Sequence, residues 1–202
     1  MVHISDGIIA PWLMGFGWVV SAGLLAFGLA KMKMEDIPKL SVITAAVFVA
    51  SLIHFQAGPT SVHLVLNGFA GVTLGILSFP CMVVSIIMQV FLFQHGGVTT
   101  IGINALNMGV PALIAFLIFR TGMGLNLNLQ RKEVLFGAIA GGIAVTLSVT
   151  MLAVELLITG SEFTEVTTFV VFAHIPVIII EAIFTGVMAG FFAKVKPEML
   201  CI

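Results

Sequence analysis

Five histidines, a carboxylate deep in an apolar run and an amino terminus with an imidazole beside it are the groups in this 202-residue chain equipped for chemistry. The sequence opens Met1-Val2-His3-Ile4-Ser5-Asp6-Gly7. A terminal amine, one or more deprotonated backbone amides and a nearby imidazole form fused chelate rings that hold their nitrogens in one plane around a divalent cation. Ni(II) and Cu(II) prefer that planar nitrogen set, whereas Zn(II) prefers a tetrahedron. A ligated amide nitrogen also carries negative charge, which offsets the cation where bare charge is costly. The plainer expectation for such an end is a frayed, solvated terminus.

His63 lies in Gly58-Pro59-Thr60-Ser61-Val62-His63-Leu64-Val65-Leu66-Asn67-Gly68, where the spacing predicts a turn opening a helix, with Asn67 one turn deeper on the same face. His63 can donate a further nitrogen, with Asn67 or Ser61 orienting the ligands. His95, in Gln94-His95-Gly96-Gly97, begins a connection that leads to Asn104 and Asn107, three apart and so on one helical face. That segment either lines a pocket or is an ordinary flexible loop. His174 and Glu181 are seven apart, one face of one helix but about 10 Å along its axis, so each is expected to find its partner on another helix. For each histidine taken alone, a hydrogen bond between helices competes with metal ligation; imidazoles gathered at one depth favour a transition metal.

The elements that must carry these groups are membrane helices. Hydrophobic residues make up 60% of the chain and charged ones 8%, with a mean hydropathy of +1.23, far from the roughly one-quarter charged share of soluble globules. At about 20 apolar residues per crossing, the chain divides into spans near 8–30, 40–56, 63–79, 81–94, 103–119, 133–159 and 166–193. This is an all-α, polytopic membrane protein, a bundle of about seven transmembrane helices forming one domain over 1–202. The boundary at Phe79-Pro80-Cys81 is the weakest, and six spans is the alternative. Lys31, Lys33 and Lys39, then Arg120, Arg131 and Lys132, then Lys194 and Lys196 fall on one side in the seven-span arrangement, the cytoplasmic side by the positive-inside rule. The amino terminus is then external, as are His3, His54, His63 and His95, with His174 roughly 12 Å below that surface. No basic flank marks the amino terminus as a secretory signal, so the mature protein is expected to keep this end, with or without the initiator Met.

Other classes recede. A net charge of -1 with scattered cations offers no nucleic-acid patch, and Cys81 and Cys201 form no CxxC pair. A zinc protease lacks its HExxH, and a retinal protein lacks a lysine inside the last span. The rival of a different class is a membrane redox protein with bis-histidine haem ligation drawn from His54, His63 and His174. Gly71-xxx-Gly75, Gly137-xxx-Gly141 and Gly186-xxx-Gly190 report close helix packing. The loop from Arg120 to Lys132 is the longest internal connection and a candidate docking surface.

Val2-His3-Ile4-Ser5-Asp6-Gly7, Thr60-Ser61-Val62-His63-Leu64, the stretch Gln94-His95-Gly96-Gly97-Val98-Thr99-Thr100-Ile101-Gly102-Ile103-Asn104 with Asn107-Met108-Gly109, and Phe172-Ala173-His174-Ile175-Pro176 followed by Glu181 resemble the CbiM/NikM family over nearly the whole chain. These are the substrate-binding membrane components of energy-coupling-factor importers for cobalt and nickel. The resemblance implies Ni(II) or Co(II) as transported substrate, no enzymatic activity, and a planar site made by the terminal amine, the amide and imidazole of the following histidine, and a second histidine. Carried over, the ligands fall on Met1 or Val2, His3 and His63, with Ser61, Asn67, His95 and Asn104 around them. The chain departs from the pattern by Val2, which stands between Met1 and His3. With Met1 removed, Val2 supplies the amine and the family arrangement returns; with Met1 kept, the terminus completes four planar nitrogens by itself and leaves His63 outside. The chain has no GxxxxGK[ST] phosphate loop. The resemblance supplies two ATPase subunits and a coupling membrane subunit, with a small accessory membrane subunit in many such systems, in a prokaryotic cell membrane.

Overall fold

The computed structural model describes the backbone of residues 3–57 and 60–202, and the side chains of these except at 54–57, 60 and 61. Among the described residues, eight α-helices and one small ribbon follow in order: α1 (Pro11–Lys31), α2 (Ile37–Ser51), β1 (His54–Ala57), β2 (Thr60–His63), α3 (Asn67–Leu74), α4 (Ser78–Phe93), α5 (Ile101–Gly124), α6 (Lys132–Thr159), α7 (Thr164–Ala173) and α8 (Ile175–Val195). Proline sets several starts: Pro11, Pro38 and Pro176 sit in the first turns of α1, α2 and α8, where their missing N–H goes unused. The faces turned away from the bundle carry Val19, Phe27, Phe91, Ile183 and Val187, all exposed. Such continuous apolar surface suits hydrocarbon rather than water.

Among the described residues, five stretches are long and apolar enough to cross a membrane: 11–31, 67–93, 101–124, 132–159 and 161–195. The expectation of about seven full crossings changes in three places. The second span stops at Ser51, a helix of 15 residues, and residues 54–57 pair as an antiparallel ribbon with 60–63, His54 opposite His63. His63 therefore ends a strand and does not open a helix; Asn67 begins α3 and shares no helical face with it. The apolar stretch 67–93 is one piece by length, yet a straight helix of that length would run about 40 Å, while the rings of His63 and His95, which flank it, lie 6.4 Å apart. It doubles back on itself at Gly75, whose φ of 58° and ψ of -124° only a residue without Cβ takes readily. The last span is broken between α7 and α8 at His174, two residues before Pro176.

The chain end seals the tip of the α3–α4 hairpin: the Cys201 amide donates to the Val72 carbonyl at 2.9 Å and its thiol approaches the Thr73 carbonyl. At this end Lys39 donates to the Glu198 carbonyl. The internal loop is shorter than expected, because α5 runs on to Gly124 and takes Arg120 with it. Lys132 donates to the Met123 and Leu125 carbonyls, capping α5 from the start of α6.

Candidate metal site

The other end of the bundle is closed by the amino-terminal segment, and each of its tethers is a specific hydrogen bond. The Ile4 amide donates to Asn104 Oδ1 at 3.0 Å, and Asn104 Nδ2 returns a bond to the Ile4 carbonyl at 3.0 Å, so one side-chain amide on α5 holds both polar groups of one residue. The Thr100 hydroxyl donates to the same carbonyl at 2.6 Å. Asp6 accepts from the Val98 amide at 3.1 Å and from the Thr99 amide and hydroxyl at 2.9 and 2.5 Å. The Thr99 hydroxyl, and then the loop amides, hold the Asp6 carboxyl below the usual carboxylate range. Gly97 leaves the space that Asp6 fills, since a Cβ there would collide with it.

These tethers carry His3 into the protein, where it is 8% exposed. Its Nε2 lies 2.8 Å from Gln89 Oε1, and Gln89 Nε2 donates to Ser85 Oγ at 3.0 Å. The Ser85 bond turns the amide oxygen of Gln89 toward the imidazole, so Nε2 carries the proton and the lone pair sits on Nδ1. Nδ1 is buried and has no hydrogen-bond partner among the described residues. Burial lowers the His3 pKa to about 3, so the ring is neutral at physiological pH and available as a ligand. In His63 the roles are reversed: Nδ1 lies 2.6 Å from the Leu64 carbonyl, which can only accept, so Nδ1 is the donor and Nε2 carries the lone pair. The rings of His3 and His63 stack with centroids 5.1 Å apart, and His63 and His95 stack at 6.4 Å.

Three of the eight expected site residues, His3, His63 and His95, are thus stacked together, and Asn104 holds the strap that brings the first of them in. Asn67 is turned elsewhere, toward Ser148 on α6 at 2.7 Å, so among its side-chain bonds none orients an imidazole. Met1 and Val2 lie outside the described residues, as do the side chains of Ser61 and His54. Asn107 bonds the Glu155 carboxyl at 2.6 Å, away from the strap. Glu181 finds its partners off its own helix, at the Val65 and Leu66 amides. His174 does not: its Nδ1 lies 2.7 Å from the Val170 carbonyl one turn back on α7, a carbonyl that also accepts the His174 amide. Sequence reasoning missed Gln89, Thr100 and Asp6. Gln89 had a signal, as the lone amide in a run from Cys81 to Phe93 that is apolar apart from it and Ser85. Among the described residues, no three or more His, Cys, Asp and Glu side chains converge on one point.

A multi-pass helical membrane protein with a buried imidazole stack at one end has the form of a membrane metal-uptake component. Residues 3–199 match the CbiM family, described as the cobalt uptake substrate-specific transmembrane region, and the chain belongs to that family. It is 32% identical over 200 residues to a protein of Haemophilus influenzae described as a candidate metal transport protein, covering 98% of this chain and 97% of that one. It is 28% identical over 216 residues to a candidate fused cobalt transport protein CbiMQ of Methanocorpusculum labreanum, covering 98% of this chain but 36% of the fusion. A crystal structure of a transition metal transporter shares the fold, with a TM-score of 0.83 at 23% identity over 98% of this chain and 95% of that one. The chain is a transport protein, not an enzyme, and the haem reading finds no support in its family.

Proposed function

We propose that this chain is the substrate-binding subunit of an ATP-driven energy-coupling-factor importer that captures Ni(II) or Co(II) at the outer face of a prokaryotic cell membrane. In this reading residues 1–202 are one transmembrane domain with an external amino terminus. The ion is held by planar nitrogen donors: the terminal amine, which Val2 supplies once Met1 is removed, the amide nitrogen and imidazole of His3, and His63, with His95 and Asn104 bordering the pocket. The observation that carries the reading is the lone pair of His3, which sits on Nδ1 with no partner among the described residues. Nδ1 is the imidazole nitrogen that closes a compact chelate ring with the residue's own main-chain nitrogen. The side chains alone do not assemble a set of three donors among the described residues, and main-chain nitrogens supply what they lack. A low-dielectric pocket also favours an ion whose charge a deprotonated amide partly cancels.

Inward transport needs an energy source. Two ATPase subunits, a coupling membrane subunit and, in many such systems, a small accessory membrane subunit fill that role in this reading. The relative in which a chain like this one makes up 36% of a longer fused protein supports partnership with other transporter components. The test is metal analysis of the purified protein with mass spectrometry of its terminus. About one Ni(II) or Co(II) per chain is expected, lost in His3→Ala and His63→Ala and after acetylation of the terminal amine, since each removes one of the planar donors. Stoichiometric metal that survives all three changes rejects the site.

A further inference from the structure

Glu181 stands in the first half of α8, fully buried. Its Oε1 accepts from the Val65 amide at 2.5 Å and the Leu66 amide at 2.8 Å, and its Oε2 accepts from Leu66 at 3.0 Å. Those two amides belong to the short link between β2 and α3, directly after His63. Both residues are buried, so no water reaches their N–H groups and an internal acceptor is obligatory. Leu66 also takes a left-handed conformation with φ of 51°, which a leucine keeps only where its surroundings enforce it.

The bonds form a continuous relay. The carboxylate on α8 holds the Val65 and Leu66 amides, Leu64 adjoins Val65, and the Leu64 carbonyl fixes Nδ1 of His63. Beside the relay lies an apolar cavity of about 370 Å³ between α2 and α8, lined by Leu64, Leu66 and Glu181 and by Ala46, Ala50 and Ile53. The cavity borders the link on that side. Farther along, the last turn of α8 carries Lys194, which borders a cleft with Arg131 at the basic end of the bundle.

We propose that Glu181 is a positioning residue for the metal site, which holds the His63 imidazole in place so that a displacement of α8 at the basic end withdraws it and frees the ion. This rests on the assignment of His63 as a ligand. The experiment is a double-mutant cycle on the full chain in nanodiscs, using Ni(II) alone as probe, with Glu181→Gln, His63→Ala and the pair. Affinity is read by competition with a chromophoric chelator, release by transfer to excess EDTA, and ligand field by the visible absorption of the bound ion. Glu181→Gln keeps the shape and one acceptor oxygen; its expected effect is about a tenfold loss of affinity, faster release and a shifted absorption band, as for the loss of an outer partner that orients a ligand. His63→Ala no longer retains Ni(II) through purification, so its residual affinity is read by titration at high Ni(II), and in that background the same substitution is expected to change nothing. Full additivity of the two substitutions, or an unchanged Glu181→Gln, overturns this proposal while leaving the ligand assignment standing. A wild-type chain that binds no Ni(II), or a His63→Ala chain that binds it as tightly as wild type, overturns both. If Glu181→Gln does not accumulate in the membrane, Glu181→Asp, with the same charge at shorter reach, takes its place with the same expected pattern.

Discussion

His3 and His63 carry the same side chain, but what each ring is bound to decides what it offers. Gln89 accepts a hydrogen bond from Nε2 of His3 and the Leu64 carbonyl accepts one from Nδ1 of His63, so the two rings present different nitrogens. The same logic makes Asp6 the pin of the strap. Its carboxyl titrates below its ordinary value because the Thr99 hydroxyl and the loop amides hold the charged form. The sign follows: a carboxylate whose folded pKa is depressed contributes docking that is complete above its unfolded value and is lost as pH falls through the folded one. Trp18 reports on this, since its indole N–H donates to the Thr99 carbonyl at 2.8 Å. In a Trp12→Phe background the emission of Trp18 is expected to stay constant from about pH 7 to about pH 5 and to change only below the ordinary carboxylate range near 4. Asp6→Asn is expected to show the altered emission already at neutral pH. A transition centred above that range would show that Asp6 does not pin the loop.

Helices α3, α6 and α8 meet at one residue, and that residue has no side chain. A Cβ on Gly68 would lie 2.5 Å from the Gly141 Cα, and a Cβ on Gly141 would lie 2.7 Å from the Glu181 carbonyl and from Thr185 Oγ1. The expected small-residue stripe on α6 thus brings α8 close enough for Glu181 to reach past α6 to the link before α3. Gly141→Val is expected to force these helices apart, at about 1–3 kcal/mol or more for overpacking, seen as a lower midpoint in thermal denaturation in detergent. Gly15→Ala on α1 is the control: nothing lies within 4 Å of its added Cβ, and replacing glycine inside a helix is expected to gain about 0.5–1 kcal/mol. Equal effects of the two would deny that the α3–α6–α8 contact depends on close approach.

At the scale of the molecule the two ends differ in kind. One end holds the imidazole stack under the strap; the other carries Lys39 and Lys196 along one cleft and Arg131 and Lys194 along another. Among the described residues the cations that line these clefts lie away from the histidine end, the pattern that the positive-inside rule predicts for the proposed external site. In a Cys201→Ser background, with Cys81 buried, a cysteine at exposed Val98 is expected to react with a membrane-impermeant maleimide on intact cells, and a cysteine at Arg131 only after permeabilisation. The reverse labelling would invert the proposed direction of uptake.

Composition and charge order alone determined the membrane habitat, the helical class, the two unlike ends and the histidines worth watching, because hydropathy and charge act on each segment by itself. The family was legible in the order of short motifs from Val2 to Glu181. The ribbon at 54–63, the doubling back at Gly75 and the break at His174 were not, since long apolar runs hide a reversal that depends on one backbone conformation. Nor could spacing reveal that Gln89 orients His3 or that Glu181 reaches Val65 and Leu66. Those bonds join residues 86 and 116 apart in sequence, and only the packing of distant helices selects which polar groups satisfy each other when water is excluded.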